Sequence, residues 1–488
     1  MKLYVWILLW IGFALAADFS QLHHMVAQYQ NNPLLQHAQW SLYARYEDNG
    51  EVVLDEQSTL GLAPASGLKV FTTVAALDYL GEDYRFQTRL YYDGQVHETD
   101  GVLQGDLYIR GGGDPTLGSS TVKGSLTLDS LMMQWSAAIQ EAGIQEIKGA
   151  VVADANIFSG NSVPDNWMWV DLGNYYGAGV SGLTVHDNLY RLYFHPAAKA
   201  GLPAEVLGTI PMVKGLHFSN FMMTGKRGSG DQGYIYCAPG QNQAVLRGTV
   251  PAGRDSFFIK GSIPDPPLFL ARYLTDWLNS RGIRISGKAR VLPERINKEY
   301  DPGKRIVTTY SPPLAEIIYM LNKRSINLYA EHLLRTLAVS RGKKGTEPDG
   351  IKILLNFLKK EHVPTNGVHL DDGCGLSRTD MITTRSMVDL LSVVRHKSYF
   401  RTFFKSLGIA GDATDIGYFA DFGRKTEIAK NAHIKSGLIQ GVRSHSGYLK
   451  DKAGRLIVFS LIANNFTCSY HKIDGIHQNI LVELARLK

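Results

Sequence analysis

The chain has 488 residues, 44% of them apolar and 20% charged, so it is long enough for two or three globular units and too apolar to stay unfolded. Its formal charge of +6 is spread without a dense Lys/Arg block, which excludes a nucleic-acid partner and permits only weak attraction to a membrane or an anionic cell-wall surface. The opening "MKLYVWILLWIGFALAADFS" has an early lysine, an apolar run from Leu3 to Leu15 and a small-residue site Ala14-Leu15-Ala16. It reads as a secretory signal peptide over residues 1–16 and predicts a periplasmic protein.

After it, "SLYARYEDNGEVVLDE" alternates with period two around Asp48-Asn49-Gly50, the pattern of a β-hairpin. "LAPASGLKVFTTVAALDYLG" then sets a small-residue loop against a helix whose apolar positions Val70, Val74, Leu77 and Leu80 recur at helical spacing. Ser66 could simply cap that helix. Lys69 lies three residues on, along the same helical face, where a lysine at a buried helix end is costly unless it is used. Beside a serine it can take the hydroxyl proton. The pattern Ser-x-x-Lys also occurs at Ser120 to Lys123 and at Ser469 to Lys472, but neither of those opens a long apolar helix.

From about Tyr84 to about Pro302 the chain turns to short, glycine-punctuated strand runs, which predicts inserted strand-rich material. "RGGGDPTLG" lacks the lysine and hydroxyl residue of a phosphate loop and reads as a structural turn. Helical periodicity returns after Pro312-Pro313, through "GIKILLNFLKK" and "TRSMVDLLSVVRH". "HIKSGLIQGVRSHSGYLKDKAGRLIVFSLIANNF" reads as three strands with a turn at Asp451 to Gly454, and a closing helix follows from about Ile473 to Leu487. Antiparallel strands with a terminal helix predict an α+β layer fold whose two ends form one domain. Cys237, Cys374 and Cys468 give no disulfide framework, though one bridge plus a free thiol stays open. No metal motif occurs, and neither a metal nor another cofactor is expected. His433 and His445 flank Lys435 but belong to no Ser-His-Asp arrangement and read as strand residues.

Two more segments complete a constellation. Ser325 and Asn327 stand two apart between helical runs, and Lys435, Ser436 and Gly437 lie on the first late strand. Ser-x-x-Lys on a buried helix, then Ser-x-Asn at a helix junction, then Lys-Ser-Gly on a strand is the set of penicillin-binding proteins and serine β-lactamases. In that chemistry Ser66 attacks an acyl carbonyl, Lys69 takes its proton, and Ser325 relays it to the departing amine. Lys435 orients a substrate carboxylate, Asn327 hydrogen-bonds along the peptide, and Gly437 lets ligand backbone pass close. The backbone N–H groups of Ser66 and Leu438 form the oxyanion hole.

The likeness extends through "APASGLKVFT", "GDLYIRGGGDPTL", "GAVVADANIF", "GAGVSGLTVHDN", "RSINLYAEHLL", "DDGCGLSR" and "IKSGLIQGVRSHSGYL". The chain resembles the class C low-molecular-weight penicillin-binding proteins, the D-alanyl-D-alanine carboxypeptidase/endopeptidase family. The resemblance implies a penicilloyl-serine transferase fold with a five-stranded antiparallel sheet. Residues 17–84 and 303–488 would form the peptidase domain, with one inserted domain at 85–200 and 262–302 and another at 201–261. It also implies peptidoglycan peptides ending in D-Ala-D-Ala, or D-Ala to diaminopimelate cross-links, as substrates and β-lactam antibiotics as inhibitors. Arg378, Gln440, Asp154 and Phe158 would hold the substrate's stem. Three positions depart from the family pattern: Ile326 for a frequent Asp, Ser436 for Thr, and Cys374 for Ser. Two other readings stay open on the sequence: a β-lactamase, in which water clears the acyl-enzyme quickly, and a silent scaffold that binds peptidoglycan without catalysis.

Overall fold

The computed structural model describes residues 19–33 and 35–488, so the expected signal peptide lies outside the described residues. The chain divides into two compact units. The first holds residues up to Glu82, Ile318–Ile326 and Ile351–Lys488; the second holds Asp83–Ile317 and Asn327–Gly350.

The first unit is built on a six-stranded sheet ordered Gly408–Ile409, His433–Ile439, Val442–Lys450, Leu456–Asn464, Gln39–Tyr46, Val52–Glu56. Every neighbouring pair is antiparallel. The five strands implied by the resemblance are present, and a two-residue edge strand, Gly408–Ile409, adds the sixth. Gln39 to Tyr46 pairs with Asn464 to Ile457, so the two ends of the chain share one sheet. The expected hairpin stands, with Asp48 to Gly50 in its turn. On one face Trp40, Leu42, Ile434, Phe459 and Leu461 pack with Ile473, Ile476 and Ile480 of the closing helix Tyr470–Arg486. That helix begins earlier than its apolar periodicity suggests, because its first turn is polar and exposed. Helix Lys69–Leu80 is buried at every position from Lys69 to Leu77 and ends where Gly81 takes a φ of +82°.

The second unit holds the glycine-punctuated strands. Val151–Asp154, Leu107–Arg110 and Gln87–Tyr92 are the middle of a five-stranded sheet, accompanied by a four-stranded and two three-stranded sheets. Helices Leu128–Glu141 and Pro266–Ser280 close its core through Trp135, Ile139, Leu270 and Leu274. The turn reading of "RGGGDPTLG" holds: a Cβ at Gly111 or Gly112 would lie 2.1 or 2.0 Å from the carbonyl oxygens of Gly182 and Gln87. These glycines permit backbone-to-backbone packing. Among the described residues, no helix is long and apolar enough to cross a membrane, and all three cysteines are free thiols.

Candidate active site

Ser66 sits in a 3-10 turn, Ala65–Leu68, that runs directly into helix Lys69–Leu80. No side chain caps either helix start, so the Ser66 hydroxyl is not spent as a cap. The turn and the three-residue spacing bring Lys69 Nζ to 2.8 Å from Ser66 Oγ. Lys69 is 0% exposed, and its Nζ also donates to the carbonyl of Cys374 at 2.7 Å. The preceding Ala65 has a φ of +46°, a strained value for a residue with a Cβ. Gly375 locks it in place: a Cβ there would lie 1.8 Å from the Ala65 carbonyl oxygen.

The carbonyl that holds Lys69 belongs to a loop organised by one buried carboxylate. Asp372 accepts backbone N–H bonds from Cys374 at 2.9 Å, from Leu376 at 3.0 Å, from Ser377 at 2.7 Å and from Gly375. Thr72, one turn after Lys69, donates to the Gly373 carbonyl at 2.6 Å. Asp372 therefore aims the Cys374 carbonyl at the lysine, a role not visible in "DDGCGLSR" as a string. Its signal is local: an aspartate followed by glycines and small residues suits a carboxylate that gathers successive N–H groups. Cys374 itself is a small buried residue.

Ser325 follows helix Leu314–Arg324 and precedes helix Asn327–Ser340. Its φ of +56° breaks one helix from the next and turns its hydroxyl out of the helical path. Lys323, two residues earlier, forms a buried ion pair with Asp415 and donates to the Leu407 carbonyl, which fixes the helix end. Ser325 Oγ accepts from Lys435 Nζ at 2.9 Å.

Lys435 and Gly437 lie toward one face of strand His433–Ile439, and Ser436 and Leu438 toward the other. Lys435 is buried, and its Nζ also donates to the Ser436 carbonyl at 2.7 Å. Burial first, then the charges of Lys69 and Arg443, hold its ammonium well below the ordinary lysine value. A Cβ at Gly437 would lie 2.2 Å from the Pro64 carbonyl oxygen, so only glycine lets this strand close on the Ser66 turn. Ser444, opposite Gly437, donates to that same Pro64 carbonyl at 2.6 Å. This tie between strand and turn is another feature the sequence reading missed; its trace is the Ser444/Ser446 alternation on one strand face. Leu438 is 44% exposed. Arg378 and Gln440 meet, Arg378 Nη1 donating to the Gln440 carbonyl at 3.0 Å.

Asn327, Asp154 and Phe158 belong to the second unit. Asn327 Nδ2 donates to the Tyr176 carbonyl at 2.7 Å. Asp154 accepts from the Tyr300 hydroxyl at 2.7 Å and from the Asn156 N–H at 3.0 Å. The Phe158 ring packs edge-on to His332 at 5.5 Å.

The model of a family described as D-Ala-D-Ala carboxypeptidase 3 (S13) matches residues 22–486. The chain belongs to the S13 family. A D-alanyl-D-alanine carboxypeptidase of Actinomadura sp. (strain R39) is 28% identical over 460 residues, covering 92% of this chain and 82% of the relative. The crystal structure of penicillin binding protein 4 (dacB) from Haemophilus influenzae superposes with a TM-score of 0.79 at 20% identity, over 93% of this chain and 98% of that one. The same protein complexed with a β-lactam gives a TM-score of 0.73 at 20% identity, with the same coverage. These likenesses show the penicilloyl-serine transferase fold. Within this S13 chain, Ser436 keeps a hydroxyl in the third motif, and Ile326, in place of the frequent acid, is half-buried between the two helices.

Proposed function

We propose that this S13 peptidase cleaves peptidoglycan peptides ending in D-Ala-D-Ala, and D-Ala to diaminopimelate cross-links, through an acyl-enzyme on Ser66. The observation that carries the reading is the Lys69 amine, fixed between Ser66 Oγ at 2.8 Å and the Cys374 carbonyl at 2.7 Å. As the free amine, Lys69 accepts the Ser66 proton while Oγ bonds to the substrate carbonyl carbon. The Ser66 and Leu438 N–H groups receive the developing oxyanion. Collapse breaks the C–N bond, and the leaving amine takes a proton relayed through Ser325 from Lys69. Water then hydrolyses the ester and restores Ser66.

Lys435 pairs with the terminal carboxylate with Ser436 beside it, Asn327 bonds along the peptide, and Gly437 leaves room for it. Arg378, Gln440, Asp154 and Phe158 hold the stem side chain. We further assign residues 1–16 to a signal peptide, the working site to the periplasm, and the strand-rich insert to two domains, 85–200 with 262–302, and 201–261. β-Lactams acylate the same serine; the β-lactam complex of the Haemophilus influenzae protein supports that reading.

Release of D-alanine from a pentapeptide ending in D-Ala-D-Ala tests the proposal. The wild-type chain releases it and Ser66→Ala does not. Equal release by both proteins would refute a Ser66 acyl-enzyme.

A further inference from the structure

Arg443 lies directly across from Leu438 on the neighbouring strand, so it occupies the sheet face opposite Lys435. Its side chain is only 12% exposed, yet it reaches two partners. Nε meets the carboxylate of Asp474 on the closing helix, and Nη1 donates to the Gly437 carbonyl at 3.3 Å. Gly437 is the residue whose backbone closes on the Ser66 turn.

We propose that Arg443, held by Asp474, is a positioning residue: from the far side of the sheet it fixes the Gly437 peptide, and with it the strand that presents Lys435. Arg443 also acts on the charge of Lys435, and Asp474 is the ion-pair partner of Arg443. The charged and titratable groups that act on that ammonium are Lys69 on the Ser66 helix and, from the far face of the sheet, Arg443 and His445 on the neighbouring strand. Ser325 supplies only a hydroxyl. His445 and its partner His477 are buried and held neutral, their Nδ1 atoms 2.9 Å apart. Asp474 is thus the charge that offsets Arg443. With Arg443 gone, Lys435 holds its proton to higher pH; with Asp474 neutralised, Lys435 loses it at lower pH.

This rests on acylation at Ser66, and the test uses that reaction: the second-order rate of labelling by benzylpenicillin, a carboxylate-bearing acylator, from neutral to alkaline pH. Arg443→Gln is expected to slow labelling by about tenfold to a hundredfold and to move the alkaline limb to higher pH. Asp474→Asn moves the limb to lower pH. Arg443→Lys, which keeps the charge without the two-pronged reach, slows labelling and leaves the limb in place. Thermal melts check that each variant is folded, and the two conservative changes carry the test if Arg443→Gln does not fold. Limbs that stay fixed, or that move together, overturn the proposal. A wild-type chain that takes no label at all overturns the Ser66 reading instead.

Discussion

At the scale of single residues, the site is a chain of short contacts around two lysines. Lys69 is tied to Ser66, and Lys435 to Ser325. Lys69→Met removes the base and should slow benzylpenicillin labelling by about a thousandfold, with Ser66 still in place. Stopped-flow labelling checks this; a loss under tenfold would assign the proton to another group. Lys435 makes a separate, signed prediction. Its ammonium is held well below the ordinary value by burial and by Lys69 and Arg443, whereas a bound carboxylate favours the charged form. Binding of a carboxylate substrate therefore takes up a proton above the free-enzyme pKa, and KM rises as pH rises through it. Calorimetry in buffers of different ionisation enthalpy reads that uptake. All five motif residues, Ser66, Lys69, Ser325, Asn327 and Lys435, could be picked out of the sequence because each sits beside a helix start, a helix break or a strand glycine that marks it. Asp372, Ser444 and Arg443 were not picked out: Asp372 left only the local cue of an aspartate before glycines and small residues, Ser444 reaches the Pro64 carbonyl from far along the chain, and Arg443 acts through a neighbouring strand and the closing helix.

At the scale of elements, the geometry is maintained by joints rather than by the elements themselves. Asp415 pairs with Lys323, and both side chains are almost fully buried. Asp415→Ala strands a buried ammonium at the helix end that precedes Ser325 and should cost about 3–5 kcal/mol in a urea unfolding experiment. Replacing both members by Met and Leu should recover much of that cost, because apolar side chains of similar volume need no partner. Helix Lys69–Leu80 was legible from its apolar spacing, and the late strands from alternation around the Asp451 to Gly454 turn. The two-residue edge strand Gly408–Ile409 was not: it is too short to show a period. Nor was the 3-10 turn under Ser66, which depends on Ala65 taking a strained φ that a distant glycine enforces.

At the scale of the whole molecule, the fold follows from its ends. The strand at Gln39 finds its partner at Asn464, which completes a sheet that buries one face under the closing helix. The sequence pattern implied that closure; the assignment of helix Asn327–Ser340 to the second unit could not be read from periodicity, because its buried positions run all the way round it. Burial also sets an acid limit. His332 and His477 are pushed down to about 3 and His433 to about 4 by desolvation, from 6.5. The unfolded chain binds those protons first, so stability falls as pH drops below the ordinary histidine value. Asp114, pushed up to about 6 by burial, opposes this in part. Urea midpoints measured across acidic pH should decline, and His477→Gln should flatten the decline; a flat wild-type profile would contradict the burial argument.

Acylation of Ser66 with the help of the buried Lys69 is read by intact-protein mass spectrometry after exposure to benzylpenicillin, followed over time once free drug is removed. One persistent drug adduct is expected on the wild-type chain and none on Ser66→Ala. An adduct that survives in Ser66→Ala, or a wild-type chain that neither carries an adduct nor hydrolyses the drug, would contradict acylation at Ser66; rapid hydrolysis with no lasting adduct would keep that acylation and contradict the peptidase reading.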